Sequence, residues 1–471
     1  MKNKLITAAI VAALLGAAQA NAASSPASKE LEEMRAQLQA LQSKVDAMER
    51  AQRAQADAAQ AAQAQAASAK AQSDASKAQL DATEKAADKA MDAVAQLKTS
   101  VASDASRFAW KGDIRVRAED IKQQGTVERE RDRFRVRAGF TAKVNDTVKA
   151  EVQLTTGESL SAGGYGDARS PNQTFSDANS RKRVWFDTAF IEWAPNAQFK
   201  TTFGKMRYPW VRPTNSAFYD SDINPEGIAF NWQQGPTGLF AAAWYLDLAE
   251  RAAGTDSTLS GGQVGWRADF SGTKLTLAAG YFDHGGVQGY NAVQDGTLPG
   301  NAFGNTTTAL ATVCRLGIAT CIANDYNIVE VLGDLTFNLG GKPLNFSADY
   351  AKNNKADFST ATIPSGLDTA WMAGVQYGKV TTANTWEASW TYEKVENDAL
   401  YNQWVDSDYG GGSTGFKGSA FRFNYGLGKN FRLNSTYFLN RQNIDLPATV
   451  NGVAITDRHY NRWQLDLLAS F

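Results

Sequence analysis

After Ser106 apolar residues recur at every second position, and this period persists to the C-terminus. Such alternation gives an extended strand one apolar and one polar face. Sixteen stretches carry it, at 108–121, 130–144, 147–157, 180–194, 197–206, 226–233, 238–249, 259–270, 274–283, 326–339, 343–353, 367–378, 384–395, 416–427, 431–442 and 457–471. The connections alternate too: tight turns such as Asn145-Asp146, Pro195-Asn196, Ser271-Gly272, Gly340-Gly341 and Gly428-Lys429 take turns with longer polar loops. A water-soluble sandwich would share the alternation but would not sort its loops by length. The pattern predicts an all-β transmembrane barrel of sixteen antiparallel strands, with short turns at one rim and long loops at the other.

The last stretch sharpens the membrane reading. Trp463, Leu465, Leu467, Ala469 and Phe471 share one face, and Arg462, Gln464, Asp466 and Ser470 share the other. Phe421, Phe423, Tyr425 and Leu427 oppose Arg422 and Asn424 in the same way. All eleven Pro lie in the N-terminal segment, in connections or at a strand start, Pro343. An interior Pro would remove a ladder hydrogen bond that no water replaces in lipid.

The N-terminal part is of another kind. Every Trp, Tyr and Phe lies at or after Phe108, so the segment before it lacks the bulky groups of a globular core. Lys2 and Lys4 precede an apolar run from Leu5 to Ala18 and an Ala20-Asn21-Ala22 cleavage pattern, which predicts a signal peptide over residues 1–22. From Leu31 the positions Leu31, Met34, Leu38, Leu41, Val45 and Met48 follow coiled-coil spacing. The register passes through Ala and Ser and returns in phase at Leu80, Val94, Leu97 and Val101. Residues 23–104 are therefore expected to form a periplasmic α-helical coiled coil, with a single solvated helix or a spacer as the alternative. Residues 105–471 are the expected barrel domain.

Several motifs then bring a family into view. Trp110 to Arg117 (WKGDIRVR), Arg131 to Gly139 (RDRFRVRAG), Leu154 to Gly157 (LTTG), Ser180 to Trp193 (SRKRVWFDTAFIEW), Phe203 to Tyr208 (FGKMRY) and Asp222 to Asn231 (DINPEGIAFN) resemble the Gram-negative putative porin family. The terminal Phe471 resembles the C-terminal signal of outer-membrane barrels, and the heptad prefix is similar to that of trimeric porins, including phosphate-selective ones. The resemblance implies a homotrimeric outer-membrane channel passing small hydrophilic solutes or ions through a water-filled, charge-filtered pore.

Composition excludes competing classes. Lys plus Arg number 48 against 49 Asp plus Glu, which argues against a nucleic-acid binder. Two His and two Cys supply too few groups for a metal or catalytic centre, so no cofactor and no metal site are expected. A barrel hydrolase is the weakest alternative, since His284 and His459 stand without an accompanying motif. An envelope-tethering or adhesive protein is the other, with outer-membrane lipid and peptidoglycan as candidate partners.

Arg115 and Arg117, then Arg131, Arg133, Arg135 and Arg137, occupy the polar parity of two adjacent strands. Barrel closure would add Arg462, with Arg432 and Arg422 on the preceding strands. So many like charges on one sheet face repel unless water or counter-charge intervenes. An aqueous lumen is the natural place, with wall-bracing pairs to Asp113, Glu119, Glu130 and Asp132 as the alternative. The connection Arg207 to Pro225 is the third long loop, and general porins fold theirs inward. By that analogy Asp220, Asp222 and Glu226 would face the arginines across a constriction. Cys314 and Cys321, with six residues between them in the longest loop, are expected to form a local disulfide.

Overall fold

The computed structural model describes residues 26–100, 107–159, 166–176, 178–291 and 302–471. The expected signal segment lies outside them, as does the heptad position Val101. The chain divides into two units, Met1–Ser103 and Asp104–Phe471.

In the first unit Pro26–Ser100 is one α-helix of 75 residues, α1. Ala, Gln, Lys, Glu and Leu dominate it, all strong helix formers, and neither Gly nor Pro interrupts it after Pro26. At 1.5 Å per residue it is about 110 Å long. Its seam positions Leu31, Leu38 and Leu41 are exposed on the single chain.

The second unit is a closed barrel. Its strands are β1 Phe108–Gln123, β2 Arg129–Lys143, β3 Val148–Thr156, β4 Val184–Trp193, β5 Phe199–Lys205, β6 Glu226–Gln233, β7 Gly238–Ala249, β8 Ser257–Phe270, β9 Thr273–Gly285, β10 Tyr326–Leu339, β11 Lys342–Asn353, β12 Thr369–Gly378, β13 Trp386–Val395, β14 Phe416–Gly428, β15 Phe431–Gln442 and β16 Arg458–Ser470. Each pairs antiparallel with its sequence neighbour, and β1 pairs with β16 from Asp113↔Ser470 to Gln123↔Tyr460. Closure satisfies every edge, as lipid requires. The expected strand at 180–194 is shorter than read, because residues 180–183 leave the ladder. Phe471 completes the seam: its backbone exchanges hydrogen bonds with Gly112, both 2.9 Å, and its ring covers the face where a Cβ on Gly112 would clash.

Turn chemistry fixes the short-turn rim. Ser271 and Gly272 both have positive φ (55° and 96°), as do Gly340 and Gly341 (58° and 76°), the backbone that matches hairpin twist. Outward positions are apolar, among them Phe230, Trp266, Phe346, Trp371, Phe421 and Trp463. Facing lipid, such positions need no protein cover.

Inside the outer half, the loops supply a core of their own. Trp210, Phe218 and Tyr219 from 206–225 and Leu400, Tyr401 and Tyr409 from 396–415 are buried against wall residues such as Trp244, Phe282 and Tyr326. Full burial of a side chain such as Phe218 contributes about 2 to 3 kcal/mol relative to exposure. These two loops are therefore folded parts of the barrel interior.

Candidate pore constriction

The register of β1 and β2 sets inward side chains directly opposite one another: Asp113↔Arg137, Arg115↔Arg135, Arg117↔Arg133 and Glu119↔Arg131. On the other flank of β1, Arg117 faces Asp466 of β16. Two acids thus sit at the ends of the β1–β2 stripe and a third beside its middle. Arg135 donates to Asp113 at 2.7 Å and Arg137 at 2.9 Å. Arg117 forks onto both Asp466 oxygens at 2.6 and 2.8 Å, the planar match that makes such pairs strong. Glu119 accepts from Arg131 and Arg462.

Loop 206–225 crosses the lumen to meet this wall. Its backbone and side chains need hydrogen-bond partners wherever they leave water, and the inner faces of five strands provide them. Gln263 on β8 accepts from Val211 N at 2.8 Å and donates to Val211 O at 2.9 Å. Asp334 on β10 takes Thr214 N (2.9 Å), and Asp349 on β11 takes the Ser216 hydroxyl (3.0 Å). Gln376 on β12 takes the Asn215 amide and Glu393 on β13 takes Ala217 N, both at 3.0 Å. Beyond these contacts, Asp222 lies 3.7 Å from Arg135 and 3.5 Å from Arg137.

Loop 396–415 folds inward beside it. Asp220 N donates to Trp404 O (2.6 Å), and Asp406 N donates to Ala217 O (3.1 Å). Asp408 from this loop reaches Arg117 at 3.1 Å and Arg462 at 2.8 Å. Burial raises the Asp408 carboxyl, but Arg462 and Arg117 outweigh it and hold the group well below the usual carboxylate range. Asp220 shifts the other way. Burial, with Asp406 and Asp222 nearby, pushes it well up.

The structure gathers the expected site residues unevenly. Arg115, Arg117, Arg131, Arg133, Arg135, Arg137 and Arg462 form one continuous wall. Arg422 stands apart and donates to Thr391 at 2.9 Å, while Arg432 lies near the short-turn rim, opposite Leu468. Of the three loop acids, Asp222 alone meets the arginines. Asp220 instead accepts the Ser407 and Asp222 N–H groups, because its side chain turns into the interface between the two loops. Glu226 begins β6 and pairs with Lys205 at 3.0 Å. Glu130 and Asp132 face Asp120 and Ala118, on the parity opposite to the stripe. Cys314 and Cys321 are joined by a disulfide with Cα atoms 5.5 Å apart.

Sequence reasoning passed over Asp466 and Asp408 as counter-charges. Asp466 carried a signal, since it shares the polar parity of β16 and closure sets β16 beside β1. Asp408 carried none, because only the loop's fold brings it to Arg117. Asn172, which takes a 2.6 Å hydrogen bond from Arg115, is another loop residue of this kind.

The family model described as "Putative porin" matches residues 121–459. A search of curated protein sequences finds no match. Among solved structures, the high-pH form of OprB from Pseudomonas putida matches with a TM-score of 0.50 at 12% identity, over 79% of this chain and 96% of that one. OmpT, an outer membrane protein of Vibrio cholerae, in its trimer form matches with 0.41 at 10% identity, over 77% and 99%. A triple mutant of the Rhodopseudomonas blastica porin gives 0.41 at 12% identity, also over 77% and 99%. At such identities the OprB likeness speaks for the fold alone.

Proposed function

The chain belongs to the putative porin family and is an outer-membrane porin, and on that premise we propose that it passes small hydrophilic solutes passively through a charge filter, without chemistry. The carrying observation is Asp222, on a loop that spans the lumen, set against Arg135 and Arg137. Seven guanidiniums (Arg115, Arg117, Arg131, Arg133, Arg135, Arg137, Arg462) meet six carboxylates (Asp113, Glu119, Glu158, Asp222, Asp408, Asp466), leaving about one positive charge in excess. Arg115 and Arg133 are the least compensated, their nearest carboxylates lying 3.8 and 4.0 Å away. Fixed charge in a narrow low-dielectric passage acts strongly on a passing ion, so the filter favours anions mildly.

Planar-bilayer recording in a salt gradient tests this. Arg115→Gln with Arg133→Gln should move the zero-current potential toward cation preference, and the shift should shrink near 1 M salt, where the screening length is about 3 Å. An unmoved potential would place the filter elsewhere.

The assembly reading is a homotrimer. The exposed leucine seam on α1 supports association through the helix, and a periplasmic location for the helix belongs to this reading. Export by a cleaved leader at 1–22, and contact of the helix with peptidoglycan, complete this reading.

A further inference from the structure

We infer that the base of the loop that crosses the lumen carries a binding site for small oxyanionic solutes, bearing a carboxylate or phosphate group, built around Arg212. This rests on the protein being a channel and adds a residence site to its filter. A cavity of about 210 Å³ lies between the loop and the inner wall, bounded by Arg137, Arg207, Arg212, Tyr208, Trp210 and Asp187 among others.

The unused hydrogen-bonding capacity at this cavity is on the donor side. Arg212 spends one Nη1 hydrogen on Tyr219 O at 2.5 Å and stacks over the Tyr208 ring at 4.7 Å. Among the described residues, its Nε and Nη2 groups meet no other acceptor and no carboxylate comes within ion-pair range of it. Arg137 spends Nε on Asp113 and Nη1 on Asp222, leaving Nη2 over. The Trp210 indole N–H and the Tyr208 hydroxyl, both enclosed, also have no partner. Trp210 is 95% buried, and an indole N–H can only donate. By contrast, the acceptors are occupied: Asp187 takes the Gln153 and Asn224 amides at 2.6 and 2.7 Å, and Glu151 takes Arg207 at 2.5 Å.

Orphaned donors beside an unpaired guanidinium call for a ligand rich in acceptors. A planar carboxylate or a phosphate accepts from the guanidinium fork of Arg212 two bonds at a time. A cation would meet Arg137 and Arg212 with no free carboxylate to repay it. A neutral polyol would leave the guanidinium charge unmatched.

The test is chloride current through the full-length protein in planar bilayers, titrated separately with acetate and with inorganic phosphate. Saturable block by either oxyanion is expected, and by the more tightly held of the two it names the preferred group. Arg212→Gln should raise the half-blocking concentration roughly tenfold, the loss of one charge-assisted hydrogen bond. Arg441→Gln, on the lipid-facing parity near the outer rim, should leave it unchanged. Arg212→Lys guards against misfolding, since it retains charge without the fork and should fall between. A conducting protein that neither anion blocks, or whose block survives Arg212→Gln, overturns the site and leaves the channel standing. A protein that conducts no chloride overturns both.

Discussion

Two stretches of the same inner wall carry charge toward the lumen and use it differently. On β1, β2 and β16 the arginines meet carboxylates from neighbouring strands and from three loops, which offset most but not all of their charge. On β10, β11 and β13 the acids Asp334, Asp349 and Glu393 meet no arginine within ion-pair distance among the described residues. They accept hydrogen bonds from loop residues 214–217 instead. The first wall presents a field; the second fastens the element that narrows the passage. Inward-pointing charge in a barrel is therefore not evidence of a filter until its partner is known.

The largest expected effect breaks the basic wall at its loop contact. Asp408→Leu leaves Arg117 and Arg462 each one carboxylate short inside the barrel, which should cost loop 396–415 about 3 kcal/mol of docking. Hydrogen exchange of that loop reads the change, and exchange as slow as wild type would mean the aromatic packing alone holds it. Next comes the acidic wall. Glu393→Leu leaves Ala217 N buried without an acceptor, a cost of about 1 to 3 kcal/mol. Conductance noise should rise as the crossing loop loosens, while the reversal potential stays near wild type.

A smaller effect separates neighbours on one loop. Asp222→Asn should shift the reversal potential toward anions, whereas Asp220→Asn, facing the other loop, should leave it in place; equal shifts would erase the distinction between them. The smallest effect is with pH. The folded-state pKa of Asp220 lies above its ordinary 3.8, so its ionisation opposes docking increasingly as pH rises through that folded value. Asp408, held below 3.8, stays ionised over the same range, and its contribution fades only in stronger acid. Lowering pH from about 7 to 5 should therefore tighten the docked loops and modestly lower conductance, measurable in symmetric salt.

Much of this was readable from residue order. Strand positions followed from period 2, and β6, β7, β10 and β15 have the bounds the alternation predicts. The arginine wall was legible because parity and closure suffice to gather Arg115, Arg117, Arg133, Arg135, Arg137 and Arg462. What parity cannot reveal is where a loop goes. Asp220 and Asp222 are two residues apart on one loop, yet one turns to Ser407 and the other to Arg137. In the outer half, Trp244 and Phe282 face inward though they are as apolar as lipid-facing residues, and the alternation there gives no hint of loops packed within the lumen.

The sequence by itself determined the barrel, because a strand's two faces and its backbone hydrogen bonds are local, periodic demands that each segment states independently. It also determined the long helix, whose residues favour that backbone with no tertiary help. Only the tertiary structure decided which charges are spent and which are left. Asp408 and Arg117 stand 291 residues apart, and what Arg212 meets depends on where the crossing loop sets it, against Tyr219 O and the Tyr208 ring. Electrostatic pairing acts over a few ångströms in space and is indifferent to distance along the chain, so no local pattern can record it.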